Sequence, residues 1–366
     1  MPYKNDCRGF LPERTRIWRL PEAPEYSTSV KIRDLARHLN VSIGTVSRAL
    51  NGKPYVDEAL RQRIIAAARE MGYSPSFAGR SLRKGSSGMV AMMMPTSSGA
   101  VTADTIFMPV LEGLRRHFLT EAIDLFVGFA SPDPDDASHL HRAVERSLFE
   151  GVVIADILQN DLRLPYLIER NVPFVAFGRS ETAGQYSWID LDFEAATRDA
   201  VERLHQLGHR RIGLGSTANN INYGRVVERA FAEGLDRVGL GHRDDFIFNL
   251  GGTEHGGYLL GEAWFSQVDR PTAVVLANEL MAVGLYRRLA EGGAVPGRDL
   301  SVITLIEQPS TRFLNPRVTC FAADLPALGE RLGTVLQSAM RGEAPVGELW
   351  PMQLREGESD VAVAVP

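Results

Sequence analysis

Apolar residues recur at helical spacing in three short stretches near the start of the chain. Ile32, Leu35, Ala36 and Leu39 share one face of a helix over 32–39, Val46, Ala49 and Leu50 share one face of a second over 43–50, and 57–71 reads as a third. Helices this short are not stable alone in water, so their apolar stripes must pack against one another. Asn40 and Val41 make the first turn, and Ser42 is placed to cap the second helix by accepting a bond from a backbone N–H near Thr45. Ile43, Gly44, Thr45, Ser47 and Arg48 are left projecting. A helix that presents its N-terminal residues and an arginine outward fits the major groove, where a guanidinium can span O6 and N7 of guanine.

After Gly85, Ser86, Ser87 and Gly88 the period changes. Short apolar runs predict strands at Met89–Met94, Leu125–Phe129, Gly151–Ala155, Phe174–Phe177, Ile212–Gly215, Ala273–Leu276, Ser301–Leu305 and Val318–Phe321. Amphipathic helices fill the intervals, for example Phe107–Leu119, Phe193–Leu207, Tyr223–Val238 and Glu279–Glu291. Such alternation implies parallel sheets covered by helices on both faces, and this many units exceed one compact sheet, so two lobes with a cleft are expected. Residues 1–29, with Pro2, Pro12, Pro21 and Pro24 and no sustained period, read as a tail or as a stretch upstream of the true start codon.

Charge sharpens the division. From Val30 to Gly85 there are 11 Lys/Arg against 4 Asp/Glu, whereas Ser86 to Pro366 has 24 against 37. The first part is therefore the one suited to phosphate. No apolar run is long enough to span a membrane and no secretory signal is visible, so a cytoplasmic location is expected. Cys7 and Cys320 read as free thiols.

The residues VSIGTVSRALNG, followed by VDEALRQRIIAAAREMGYSPSFAGRSLRKG, resemble the head and hinge of the lactose-repressor (galactose-repressor) family of bacterial regulators. The resemblance runs from Val30 to about Gly342. It implies a small all-α helix-turn-helix head (30–75), a hinge helix and linker (76–87), and an α/β two-lobed body like the type I periplasmic binding proteins (88–366). The lobes are expected at 88–187 plus 322–342 and at 188–321. By resemblance Ser42, Ile43, Gly44, Thr45, Ser47 and Arg48 face DNA, joined by Asn51 and by Phe77, Ala78, Arg80, Ser81 and Leu82 of the hinge, with Leu82 wedged into the minor groove. An eight-residue hinge helix containing Gly79 needs a partner to form; the resemblance implies that this is the hinge of a second subunit, in a homodimer or a dimer of dimers on double-stranded operator DNA.

Ligands of open α/β lobes bind where loops leave the carboxyl ends of strands. That rule nominates Asp104, Phe107, Asp156, Arg179, Asp192, Tyr223, Arg225, Asn278, Glu279 and Glu307 for a small-molecule effector, a sugar or sugar derivative by the resemblance. Two positions depart from the family. Val227 stands where many relatives carry an effector-binding Arg, and Ile306, followed by Glu307, stands where many carry an Asp. Arg225 and Glu307 are candidate substitutes; a less polar effector, or a regulator that works without one, are the alternatives. A solute-binding protein is disfavoured by the basic head and by the lack of a signal segment. Catalysis finds little support: Gly213 and Gly215 are a fragment of a dinucleotide motif, His139 and His141 lack further ligands at metal spacing, and His209 reads as architectural. No cofactor or metal is expected.

Overall fold

The structure, a computed structural model, describes residues 30–50, 52–73, 87–95, 103–130, 138–217 and 221–363. The chain divides into two compact units, a head within 1–85 and a body within 86–366. No described helix is long and apolar enough to cross a membrane.

The head contains α1 (Ile32–Leu39), α2 (Ile43–Leu50) and α3 (Glu58–Glu70). Asn40 ends α1 in the left-handed conformation at φ 53°, which a short amide side chain tolerates. Two residues later Ser42 Oγ accepts from Thr45 N at 3.0 Å and starts α2. Asp57 does the same for α3, accepting from Leu60 N at 3.2 Å. Leu35, Ala36, Val46, Ala49, Ile64, Ala67 and Ala68 form the buried core. The three large aliphatics each contribute roughly 1.5–3 kcal/mol by leaving water, and the alanines allow close crossing.

Among the described residues, the body holds two six-stranded sheets. The first uses β1 (Met89–Pro95), β2 (Asp124–Ala130), β3 (Gly151–Ile154), β4 (Phe174–Phe177), β5 (Ser187–Leu191) and β11 (Gly347–Trp350), all parallel, in the order β11-β5-β4-β3-β1-β2. The second uses β6 (Ile212–Ser216), β7 (Ile247–Asn249), β8 (Ala273–Leu276), β9 (Ser301–Thr304), β10 (Thr319–Ala322) and β12 (Gln353–Arg355), in the order β12-β10-β9-β8-β6-β7, with β12 antiparallel. β3, β4, β8 and β9 are buried along their whole length, as strands covered on both faces must be. The chain passes between the sheets three times: after Leu191, after Ala322 and after Trp350. The lobe boundary expected at residue 188 thus falls after Leu191. Trp188–Leu191 extend the first sheet, and the buried Asp190 is held inside the strand by Arg179, whose Nε donates to it at 2.8 Å.

Covering helices are α4 (Ala103–Thr120), α5 (Ser138–Glu145), α6 (Arg163–Glu169) and α11 (Leu325–Met340) on the first sheet, and α7 (Phe193–Gln206), α8 (Asn222–Arg237), α9 (Glu254–Ser266) and α10 (Leu280–Glu291) on the second. In each lobe one helix pair meets backbone to backbone. A Cβ added at Gly113 would overlap the carbonyl of Pro326 and one at Gly329 that of Val110, locking α4 on α11. Gly257 and Gly284 do the same for α9 on α10, against the carbonyls of Met281 and Glu254.

His209 is architectural, as expected: its ring bridges Thr272 Oγ1 at 2.9 Å and the carbonyl of Val361 at 3.0 Å. The same C-terminal segment is stitched into the second lobe by Ser359, whose hydroxyl accepts from Thr319 N at 2.9 Å.

Candidate functional site

In the head, Val46 and Ala49 are buried while Ser42, Ile43, Gly44 and Arg48 are exposed and Thr45 and Ser47 are partly so. The N-terminal turn of α2 is therefore a presented surface. The Arg48 guanidinium lies beside Gly44: a Cβ there would meet Nη2 at 3.9 Å and Ser42 Oγ at 3.6 Å, ordinary contact distances. Asn51, Phe77, Ala78, Arg80, Ser81 and Leu82 lie outside the described residues.

In the body, the carboxyl ends of β3, β6, β8 and β9 deliver a set of polar groups. Asp156 follows β3 in the left-handed conformation at φ 50°, its carbonyl held by Arg163 Nη2 at 3.0 Å. From the second lobe, the Tyr223 hydroxyl meets the side chains of Thr217 and Asn278. Burial holds the Tyr223 phenol above its ordinary value, and the negative charges of Glu279 and Asp156 push the same way. Asp156 and Tyr223, carried by different lobes, are thus close enough to act on each other. Glu279 is wholly buried; Oε1 accepts from Gln308 Nε2 and Oε2 has no protein partner. Burial raises its carboxyl to about 7, and that of Asp156 to about 6 against the pull of Arg163. Phe107, half-buried, stands edge-on to Phe177 with ring centres 5.9 Å apart.

Three of the other nominated residues are engaged elsewhere. Arg179 binds Asp190 and Glu194. Asp192 caps α7, accepting from Ala195 N at 2.9 Å. Glu307 pairs with Arg312 at 3.0 Å on the surface. Arg225 is exposed on α8 and lines a small cavity of about 230 Å³ together with Arg179, Asn222 and Arg229. Asp104 is in the first turn of α4, and its side chain lies outside the described residues. Val227 and Ile306 are buried, so neither position grips a polar ligand. Thr217 and Gln308 were not nominated, although each follows a strand end and the same rule would have found them. His139 meets Arg142 at 3.1 Å, and no metal-binding group of His, Cys, Asp or Glu occurs among the described residues.

Glu279 makes a pH prediction. Its carboxyl titrates near 7 when folded against an ordinary 4.5, so the folded chain holds the proton longer. Stability should fall as pH rises from about 4.5 through about 7 and stay level above. Glu279→Gln keeps the shape and cannot ionise, so it should gain up to about 3 kcal/mol over the wild type at pH 8 and nothing at pH 4. Urea midpoints at the two pH values test this; parallel curves for mutant and wild type would refute it.

Comparison with known proteins agrees with both units. Residues 31–76 match the model of bacterial regulatory proteins of the lacI family, and residues 201–359 that of the periplasmic binding protein-like domain. The regulator AglR of Rhizobium meliloti is 29% identical over 331 residues, 89% of this chain and 92% of that protein. The regulator reg1 of Streptomyces lividans is 30% identical over 328 residues, 87% and 93% respectively. Among solved structures, the lac repressor dimer bound to operator and an anti-inducer superposes with a TM-score of 0.81 at 22% identity, covering 92% of this chain and all of that one. The likeness to reg1 spans head and body alike, so the chain belongs to the lacI family of bacterial regulatory proteins and is a DNA-binding transcription regulator, not an enzyme.

Proposed function

We propose that this regulator is a homodimeric repressor of a carbohydrate-utilisation operon. It reads a near-palindromic operator through Ser42, Ile43, Gly44, Thr45, Ser47, Arg48 and Asn51, with the hinge residues Phe77, Ala78, Arg80, Ser81 and Leu82, and responds to a hydroxyl-rich effector between its lobes. The observation that carries the switch is the convergence of Asp156 from one lobe with Tyr223, Asn278 and Glu279 from the other. Carboxylates, an amide and a phenol are suited to hydroxyl pairs, and Phe107 offers an apolar ring face. A group held by both lobes favours the closed arrangement, and an effector shifts the switch only by binding one arrangement better.

Dimerisation is supported by the edge of the first sheet. Phe126, Val127 and Phe129 of β2 are 41%, 37% and 61% exposed, an apolar edge that soluble proteins cover.

The test uses the full-length protein. A duplex selected from random sequence should have two inverted half-sites and be bound by a dimer, and one member of a mono- and disaccharide panel should raise the melting temperature. Failure of folded, dimeric protein to shift any palindrome at low salt would sink the DNA reading. Absence of a stabilising sugar, with operator binding intact, would sink the effector reading alone.

A further inference from the structure

The two lobes are joined along a seam beside the cleft. Leu158 and Ile221 form an isolated antiparallel bridge, Asn222 N donates to the carbonyl of Ile157 at 2.9 Å, and Asn222 Nδ2 donates to the carbonyl of Arg179 at 2.8 Å. Arg179 lies in the first lobe, on the loop after β4. Its Nε donates to Asp190 Oδ2 at 2.8 Å, near the end of β5. Its Nη2 reaches both oxygens of Glu194, at 2.8 and 2.7 Å, in the first turn of α7 in the second lobe. One guanidinium therefore spans the first crossing of the chain between lobes, gripping the strand before it and the helix after it. The Trp188 ring lies 5.4 Å from its centre, and Arg229 of α8 approaches Glu194 at 3.6 Å.

Charge makes this more than a brace. Asp190 and Glu194 are carboxylates of different lobes, only 7% and 14% exposed, and Arg179 stands between them. Without the cation, Asp190 loses its counter-charge and Glu194 keeps only the more distant and exposed Arg229, so two poorly solvated carboxylates on either side of the crossing favour its opening. A lysine supplies one compact charge where the geometry uses two edges of a planar fork.

We propose that Arg179 is a positioning residue of the switch: by bridging Asp190 and Glu194 it fixes how far the two lobes are closed, without itself contacting the effector. This rests on the cleft being the effector site only for its regulatory meaning. The closure can be measured with neither DNA nor ligand.

Hydrogen exchange on the full-length protein reads it through the amide of Asn222, which bonds across the seam, with the amides of β3 and β8 as references within each lobe. Arg179→Met should speed exchange at Asn222 by at least about tenfold and leave the references unchanged. Arg179→Lys should fall between this variant and the wild type. Glu194→Gln, a milder change that keeps a hydrogen bond acceptor, should shift the same amide in the same direction by less. In the double variant the two effects should be less than additive, because they remove one interaction. Equal acceleration of seam and references would mean a general loss of stability, and unchanged seam exchange would mean no control of closure; either overturns the proposal. A missing operator or sugar would overturn the functional reading and leave this result standing.

Discussion

Arg48→Ala should all but abolish specific operator recognition while leaving the head folded. Arg48 is exposed on α2 and contributes nothing to the core of Leu35, Val46 and Ile64, so the helices should persist. A bidentate arginine–guanine pair discriminates by roughly 1–3 kcal/mol, and a dimer loses two of them, roughly 2–6 kcal/mol in all. That is a fall in operator affinity on the order of 30-fold to 10⁴-fold. Binding to random duplex should weaken far less, because only about one charge per subunit leaves the phosphate-neutralising surface. Titrating both duplexes over a range of salt separates the outcomes. Equal losses on the two would show that Arg48 contacts phosphate and that the bases are read by other residues.

The second large effect concerns the loop that sets Asp156. Asp161 and Arg163 are 0% and 2% exposed and bonded at 2.6 Å. Arg163 also donates to the carbonyls of Ala155 and Asp156, both at 3.0 Å, and Asp161 accepts from the amides of Leu158 and Arg163. Asp161→Ala leaves a buried cation without its bonded carboxylate, with only the unbonded carboxyl of Asp156 to offset it, at a cost of about 3–5 kcal/mol. For a body of this size the melting temperature should drop by roughly 6–20 °C. Adding Arg163→Met should restore part of the loss by removing the stranded charge, though the carbonyls of Ala155 and Asp156 lose their donor. Calorimetry on the single and double variants decides it: a single variant within about 1 kcal/mol of wild type would mean that the loop holds Asp156 without the pair.

Much of the fold is legible in the sequence where one kind of order dominates. α1 and α2 follow from the spacing of Ile32, Leu35, Ala36 and Leu39 and from the cap at Ser42. β3, β4 and β8 follow from unbroken apolar runs, since both faces of each are covered. β5, β7, β11 and β12 are missed for the opposite reason: they lie at or near sheet edges and mix polar with apolar residues, as Gly347–Trp350 does. The same limit applies to the site. The strand-end rule selects loops of which those carrying Asp156, Tyr223, Asn278 and Glu279 meet in the structure. It does not tell which way a side chain turns. Arg179, Asp192 and Glu307 satisfy it as well, yet are held by an ion pair, a helix cap and a surface arginine. The partner of Arg179 across the lobes, Glu194, lies fifteen residues away along the chain and no motif marks it.

The glycine contacts between helices determine how a ligand could be felt at a distance. Where α4 lies on α11 through Gly113 and Gly329, and α9 on α10 through Gly257 and Gly284, no flexible side chains lie between the backbones to let them slide. Each lobe is then a stiff lever arm, and strain introduced at the cleft has little room to dissipate inside it. It appears instead as rotation about the three strands of chain that link the lobes, and a small angle there becomes a larger displacement at the rim.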